Sequence, residues 1–317
     1  MSLRPAPADA PSNPARARLL RAGLAACAVA AGTRVLPAHG QSASALARRR
    51  IPSSGALLPV IGCGTYIGFD AAEGKAAGGE LDGVVRALVD GGGSVLDSSP
   101  MYGRAEAVTG EIVQRLGLRD RTFLATKVWT SGRAAGIAQM EDSFRLLRTD
   151  HIDLMQIHNL LDWRTHLPQL RQWQADGRIR YLGITHYTSS AYDQVEAVLR
   201  QEKLDFLQIN YAADDREAAR RILPLAAERG VAVIINRPFG GGGLLRRLAD
   251  RPLPGWAGEI GAGSWAQVLL KFVLSQPAVT CAIPGTARVR HMRDNLAAGS
   301  GTIPEPGWWK DKLEALR

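Results

Sequence analysis

Short, mostly apolar runs alternate with stretches of helical period along residues 50–300 of this chain. The runs fall at 61–64, 94–97, 122–127, 152–157, 179–184, 205–209, 231–236 and 278–283. Their near-continuous apolar character is that of strands covered on both faces. The segments between them place apolar residues at helix spacing, as at Leu81, Val84, Val85 and Leu88, and again at Tyr192, Val195 and Leu199. Eight strands alternating with helices predict an α/β fold in which a parallel sheet closes into a (β/α)8 TIM barrel. Ahead of the first strand, residues 50–60 (RIPSSGALLPV) set a Ser-Ser-Gly turn between apolar ends, which predicts a β-hairpin plugging the barrel bottom. No internal repeat or interdomain linker interrupts the pattern, so residues 41–317 read as one barrel domain.

Several of the predicted strands end on polar residues. The second leaves the Gly91-Gly92-Gly93 run, closes on Asp97, and is broken by Pro100 into a loop that carries Tyr102. The third ends on Lys127 and the fourth on His158. In a parallel barrel all strand C-termini open on one face, so these four side chains converge there. A buried lysine needs a partner, and Asp97 is the evident one. A tyrosine with a pKa of about 10 is a poor acid at neutral pH. The Lys127 ammonium is expected to stabilise tyrosinate and lower the Tyr102 pKa, with Asp97 holding that ammonium and His158 placed to hydrogen-bond a ligand. Taken singly, each has an ordinary structural reading: an ion pair, a half-buried aromatic, a satisfied strand-end histidine.

Taken jointly and in this order, Asp97, Tyr102, Lys127 and His158 resemble the catalytic tetrad of the aldo-keto reductase superfamily. The first two lie within Asp97-Ser98-Ser99-Pro100-Met101-Tyr102-Gly103, and the third within Ala125-Thr126-Lys127-Val128-Trp129. The resemblance runs over roughly residues 50–300, from LPVIGCGTY to CAIPGT and Asn295. It implies NADP(H)-dependent reduction of aldehydes or ketones to alcohols, with Tyr102 as general acid. It also implies a cofactor site built from strand ends: Gly64 and Thr65 after the first, Thr185 and His186 after the fifth, Gln208 at the sixth, and Asn236, Arg237 and Phe239 after the seventh. Gln208 matches the residue that binds the nicotinamide amide, whereas His186 and Arg237 depart from the usual Asn and stacking aromatic. Arg237 is assigned instead to the pyrophosphate, beside Gly241 in the Gly240–Gly243 run. The segment Gly285, Thr286, Arg288 with Asn295 resembles the adenosine 2′-phosphate and adenine site; Gly285 replaces a common lysine, leaving the phosphate to Arg288 and favouring NADP(H) over NAD(H). Tyr66 and Trp129 are assigned to the substrate pocket, and Trp163 and Trp265 either join them or pack against helices. A Rossmann fingerprint is absent, since Gly62-Cys63-Gly64 continues with its third glycine, Gly68, one place late.

Composition narrows the alternatives. Hydrophobic residues make up 46% of the 317, enough for a sizeable core. The net charge of +9 is uneven, because residues 1–40 alone carry +4. Residues 51–317 hold no dense Lys/Arg tract interleaved with aromatics, which argues against a nucleic-acid partner. Residues 1–40 read as a separate targeting segment: Arg16, Arg18 and Arg21 precede the small-residue run Ala22–Gly32, too short to span a bilayer, with a cleavage-type site near Ala38-His39-Gly40. That pattern resembles a twin-arginine signal with its arginines split by Ala17, implying the export machinery as a partner and a periplasmic, monomeric enzyme without stable membrane insertion. If the segment is only an extension, the protein is cytoplasmic. Of the three cysteines, Cys63 and Cys281 fall on the first and last strands, either as two buried thiols or as a bridge, and Cys27 lies in the N-terminal run. Two other functions share the fold: a non-catalytic nucleotide sensor, and a metal-dependent hydrolase using His158, His166 and His186. The second lacks the His-x-His and late acidic ligand such a site wants.

Overall fold

The computed structural model describes residues 45–71 and 79–316. The expected signal segment and Cys27 lie outside them. Two short antiparallel strands come first, β1 (Arg48–Arg50) and β2 (Leu57–Pro59), paired from Arg48↔Pro59 to Arg50↔Leu57. Then follow β3 (Cys63–Gly64), β4 (Val95–Asp97), β5 (Phe123–Val128), β6 (Ile152–His158), β7 (Ile179–Thr185), β8 (Phe206–Asn210), β9 (Ala232–Asn236) and β10 (Val279–Ala282). These eight form one parallel sheet in sequence order. Between and after them run α1 (Glu80–Asp90), α2 (Ala105–Arg115), α3 (Arg133–Leu147), α4 (Trp163–Ala175), α5 (Tyr192–Gln201), α6 (Ala218–Glu228), α7 (Gly243–Leu248), α8 (Trp265–Leu274) and α9 (Val289–Ala298). The expected (β/α)8 barrel with its N-terminal hairpin is therefore present. No described helix is long and apolar enough to cross a membrane.

The barrel closes between β3 and β10 through single bridges, Ile61 to Ala282 and Gly64 to Gly285. Gly62 N–H donates to Ala282 O at 2.9 Å and Ala282 N–H to Val60 O at 2.9 Å. Closure at this seam depends on glycine, since a Cβ at Gly62 would lie 2.7 Å from Val95 Cβ. Cys63 and Cys281 are buried free thiols, so no bridge joins them; burial pushes the Cys63 thiol up to about 12.

Side chains alternate inward and outward along each strand, and the inward set changes character from bottom to top. At the bottom, Phe123, Leu154, Tyr181, Phe206 and Ala232 form an apolar cluster with Ile51 and Leu58 of the hairpin. Tyr181 meets Phe206 edge-on at 5.3 Å and stacks on Phe123 at 6.0 Å. The hairpin is pinned there by Arg49, which donates to Leu274 O at 2.5 Å, Gln276 O at 3.0 Å and Val279 O. Further along the same strands the inward positions become Asp97, Lys127, Gln156, His158, Thr185, Gln208 and Asn236. The outward faces pack against the helices in a second, larger core.

Candidate active site

Lys127 ends the inward face of β5 and is fully buried. An ammonium has three protons to donate; two go to Asp97 Oδ2 at 2.7 Å and Ser98 O at 2.6 Å, and the ammonium nitrogen lies 5.1 Å from the Tyr102 ring. Burial disfavours the lysine charge, but Asp97 and then Tyr102 more than offset it, and the Lys127 pKa lies above its ordinary value. Asp97 also accepts from Gln208 Nε2 at 2.8 Å and Gln156 Nε2 at 3.3 Å. Donors from β5, β6 and β8 thus meet one carboxylate at the end of β4.

Tyr102 is half-buried, with its ring 4.9 Å from Tyr66 and edge-on to His158 at 5.9 Å. Among the described residues no hydrogen-bond acceptor takes the Tyr102 hydroxyl proton, which is free for a ligand. The expected lowering of its pKa is corrected: burial is the largest influence and raises it, Lys127 pulls it down, Asp97 pushes it up, and the net direction is upward. A phenolate loses more hydration on burial than a phenol, and the ammonium recovers only part of that loss. Tyr102 is therefore a protonated acid at neutral pH. His158 ends β6, 5% exposed, and burial followed by the charges of Lys127 and His186 pushes its pKa down to about 3. It is a neutral imidazole whose Nδ1 shares a 3.0 Å hydrogen bond with Ser99 Oγ.

The expected cofactor residues fall into two groups. Beside the four central residues, Thr185 Oγ1 donates to Gln208 Oε1 at 3.3 Å, and Asn236 Nδ2 donates to Gln208 Oε1 at 3.4 Å and to His186 O at 3.0 Å. Gln208 thus turns its amide nitrogen to Asp97 and its oxygen to Thr185 and Asn236. Among the described residues no donor reaches the buried Asn236 Oδ1. His186 stacks on Tyr187 at 5.6 Å, and the exposed Arg237, left-handed at φ 49°, lays its guanidinium 5.6 Å from the Tyr187 ring. Gly241, at φ 67°, gives the following turn its handedness; a Cβ there would lie 2.7 Å from Arg237 Nη2. Phe239 is partly buried and packs against the core. Thr65 uses its hydroxyl within the fold, donating to Asp97 O at 3.0 Å, with Ser98 Oγ also 3.0 Å from its oxygen.

The second group gathers where α9 begins. Arg288, Arg290, Arg293 and Glu80 line an open pocket of about 540 Å³. Arg288 N–H donates to Thr286 Oγ1 at 3.1 Å, and Val289 N–H donates to Glu80 Oε1 at 2.8 Å. Asn295 is buried within α9, while Gly285 is exposed at the barrel seam. On the rim, Tyr66 is 59% exposed and Trp129 40%, with Trp129 6.5 Å from the His158 ring. Trp163 packs against the core and Trp265 is buried, its Nε1 donating to Arg251 O at 2.8 Å. The histidines serve separate partners, with His166 Nε2 donating to Thr130 O at 2.7 Å. Among the described residues no three His, Cys, Asp or Glu side chains gather as a metal site would need.

Four residues at these sites are ones that sequence patterns did not single out: Ser99, Gln156, Tyr187 and Glu80. Ser99 stands two residues from Asp97 in the turn before Tyr102, and Gln156 occupies an inward position between Leu154 and His158. Period-2 counting back from His158 would have found Gln156.

Known proteins resemble this chain over most of its length. Methylglyoxal reductase YeaE of Escherichia coli K12 is 30% identical over 248 residues, covering 76% of this chain and 85% of the relative. A crystal structure of an aldo/keto reductase from Klebsiella pneumoniae, in complex with NADP and acetate, superposes with a TM-score of 0.68 at 27% identity, covering 83% of this chain and 91% of that one. An aldo-keto reductase from Bacillus halodurans shares the fold at a TM-score of 0.70 and 21% identity, over 86% of this chain and 96% of that one. Residues 61–306 match the Aldo/keto reductase family, and the chain belongs to that family.

Proposed function

We propose that this protein is a monomeric NADP(H)-dependent reductase of aldehydes or ketones in which Tyr102 is the general acid. The observation that carries the reading is the buried Asp97–Lys127 pair, its ammonium 5.1 Å from the Tyr102 ring, whose hydroxyl proton no described residue takes up beside the neutral His158 ring. The residues present suit the cofactor. Among the described residues Asn236 Oδ1 is an acceptor without a donor, as a carboxamide would supply. Gly241 lets backbone approach a phosphate, and Arg288 and Arg293 give a second, cationic pocket. The Klebsiella pneumoniae neighbour's NADP supports the same choice.

When bound, NADPH supplies the hydride for the carbonyl carbon. The protein's own groups serve the oxygen. Tyr102 donates its proton as negative charge develops there, His158 offers a ring N–H to the same atom, and Lys127 stabilises the tyrosinate left behind. Asp97, held by Gln156 and Gln208, keeps the ammonium in place. Tyr66 and Trp129 wall the entry with apolar surface.

The relative from Escherichia coli makes methylglyoxal the first substrate to try. Tyr102→Phe keeps the ring and removes the acid, so kcat should fall by about 10²–10⁴-fold while NADPH affinity changes little. A Phe variant turning over within about threefold of wild type would overturn the reading.

A further inference from the structure

A neutral imidazole carries one ring proton, and its two tautomers present opposite chemistry at a given nitrogen. His158 has Nδ1 against Ser99; among the described residues no hydrogen bond reaches Nε2, and the ring lies 5.9 Å from that of Tyr102 and 6.5 Å from that of Trp129. With Nε2 protonated, the ring donates to a carbonyl oxygen. With Nε2 bare, its lone pair opposes that oxygen. Carbonyl reduction therefore needs one tautomer, and something in the fold has to select it.

The turn Ser99-Pro100-Met101-Tyr102 makes the selection. Tyr102 N–H donates to Ser99 O at 3.0 Å, closing a β-turn whose first two positions are serine and proline, the residues such a turn favours there. Met101 N–H points at Ser99 Oγ from 3.4 Å, the side-chain turn typical of serine. Ser99 is fully buried, so its hydroxyl has no water to turn to. One lone pair faces Met101, and the other described partner of the hydroxyl is His158 Nδ1. If Nδ1 held the ring proton, Ser99 would accept twice and its own buried proton would go unmet. If Nε2 holds it, Ser99 donates to Nδ1 and every group is satisfied, which is the lower-energy arrangement.

We propose that Ser99 is a positioning residue that donates its hydroxyl proton to His158 Nδ1 and so holds the imidazole as the Nε2–H tautomer, ready to donate to the substrate oxygen. The role rests on the carbonyl-reductase reading above. It also gives the turn a double duty, since the same four residues deliver the Tyr102 acid and set the proton on its neighbour. The depressed His158 pKa agrees, because a ring that does not take a second proton keeps one tautomer across the working pH range.

Nitrogen-15 NMR of histidine-labelled full-length protein, near about pH 7, reads the tautomer directly. Wild type should show a pyrrole-type Nε2 and a pyridine-type Nδ1 for His158, assigned with His158→Gln. Ser99→Ala should convert this to a tautomer mixture and lower kcat/KM for methylglyoxal about tenfold, with the NADPH dissociation constant unchanged. Ser99→Thr, which keeps the hydroxyl, should recover the wild-type spectrum. A protonated Nδ1 in wild type overturns the proposal, and that measurement needs no variant to fold. So does a Ser99→Ala protein that keeps the wild-type nitrogen pattern, whatever its activity, because a merely structural serine would leave the tautomer alone. Should wild type reduce no carbonyl at all, the functional reading fails while the spectrum still decides whether Ser99 holds the ring.

Discussion

The two ends of the barrel interior are built from the same strands and differ in almost every physical respect. Phe123 and Lys127 are both inward residues of β5, about 13 Å apart at strand rise. At the Phe123 end, rings pack on one another and on the hairpin, and the contacts are non-directional. At the Lys127 end, an ammonium and a carboxylate are buried together and held by directional hydrogen bonds. Burying such a pair stabilises a fold no more than well-packed apolar residues of the same volume, and often less. The bottom therefore supplies stability that the top spends on chemistry.

Lys127→Met gives the largest effect, because it strands the Asp97 carboxylate in a dry interior. It should cost about 3–5 kcal/mol in denaturant unfolding and abolish measurable turnover. The double replacement Asp97→Leu with Lys127→Met should return stability to within about 1 kcal/mol of wild type while turnover stays lost. A double variant as unstable as the single one would break the comparison. At the other end, Phe206→Ala should also cost about 3–5 kcal/mol, yet leave kcat per folded molecule within about twofold. A large loss of kcat there would show that the two ends are not separable. Arg288→Ala, remote from both, should weaken NADPH by about 1.5–3 kcal/mol and leave NADH nearly untouched; equal losses by titration would remove Arg288 from 2′-phosphate recognition.

The smallest effect concerns protons. The folded His158 pKa, about 3, lies below the ordinary histidine value of 6.5. Between those values the unfolded chain binds the proton and the folded one does not. His158 therefore contributes no penalty above 6.5, and stability falls progressively as pH drops from 6.5 towards 3. The turnover profile should show no histidine inflection near 6.5, and His158→Gln should flatten the acid limb of the stability curve. An NMR titration placing His158 near its ordinary pKa would show the top to be wetter than its burial implies.

The barrel was legible because its strands are short apolar runs between helix-period segments, and Asp97, Lys127 and His158 because charge at the end of such a run is conspicuous. What joins them was not. Gln156 and Gln208 reach Asp97 from two other strands, across 59 and 111 residues of chain, and no local pattern records such a contact. Ser99 looked like a turn residue, which it is, while its second bond depends on where β6 ends. The direction of the Tyr102 pKa was misjudged for a related reason: Lys127 can be counted from the sequence, whereas the dehydration of the ring cannot. Gln208 shows the limit of resemblance, since its position was anticipated but not its grip on Asp97.

The pinned hairpin also gives the molecule a mechanical asymmetry. A pull on β1 from its N-terminal side opens the β1–β2 ladder one pair at a time, a geometry that ordinarily yields at low force. Arg49 changes that, since its bonds to Leu274, Gln276 and Val279 must fail almost together before the strand moves. Once they fail, Ile51 leaves the interior and the base of the barrel lies open, while the mouth, at the far end of the strands, is out of the line of force. Under such a load the floor is the expected first point of yielding, and the candidate site lies at the opposite end of the strands.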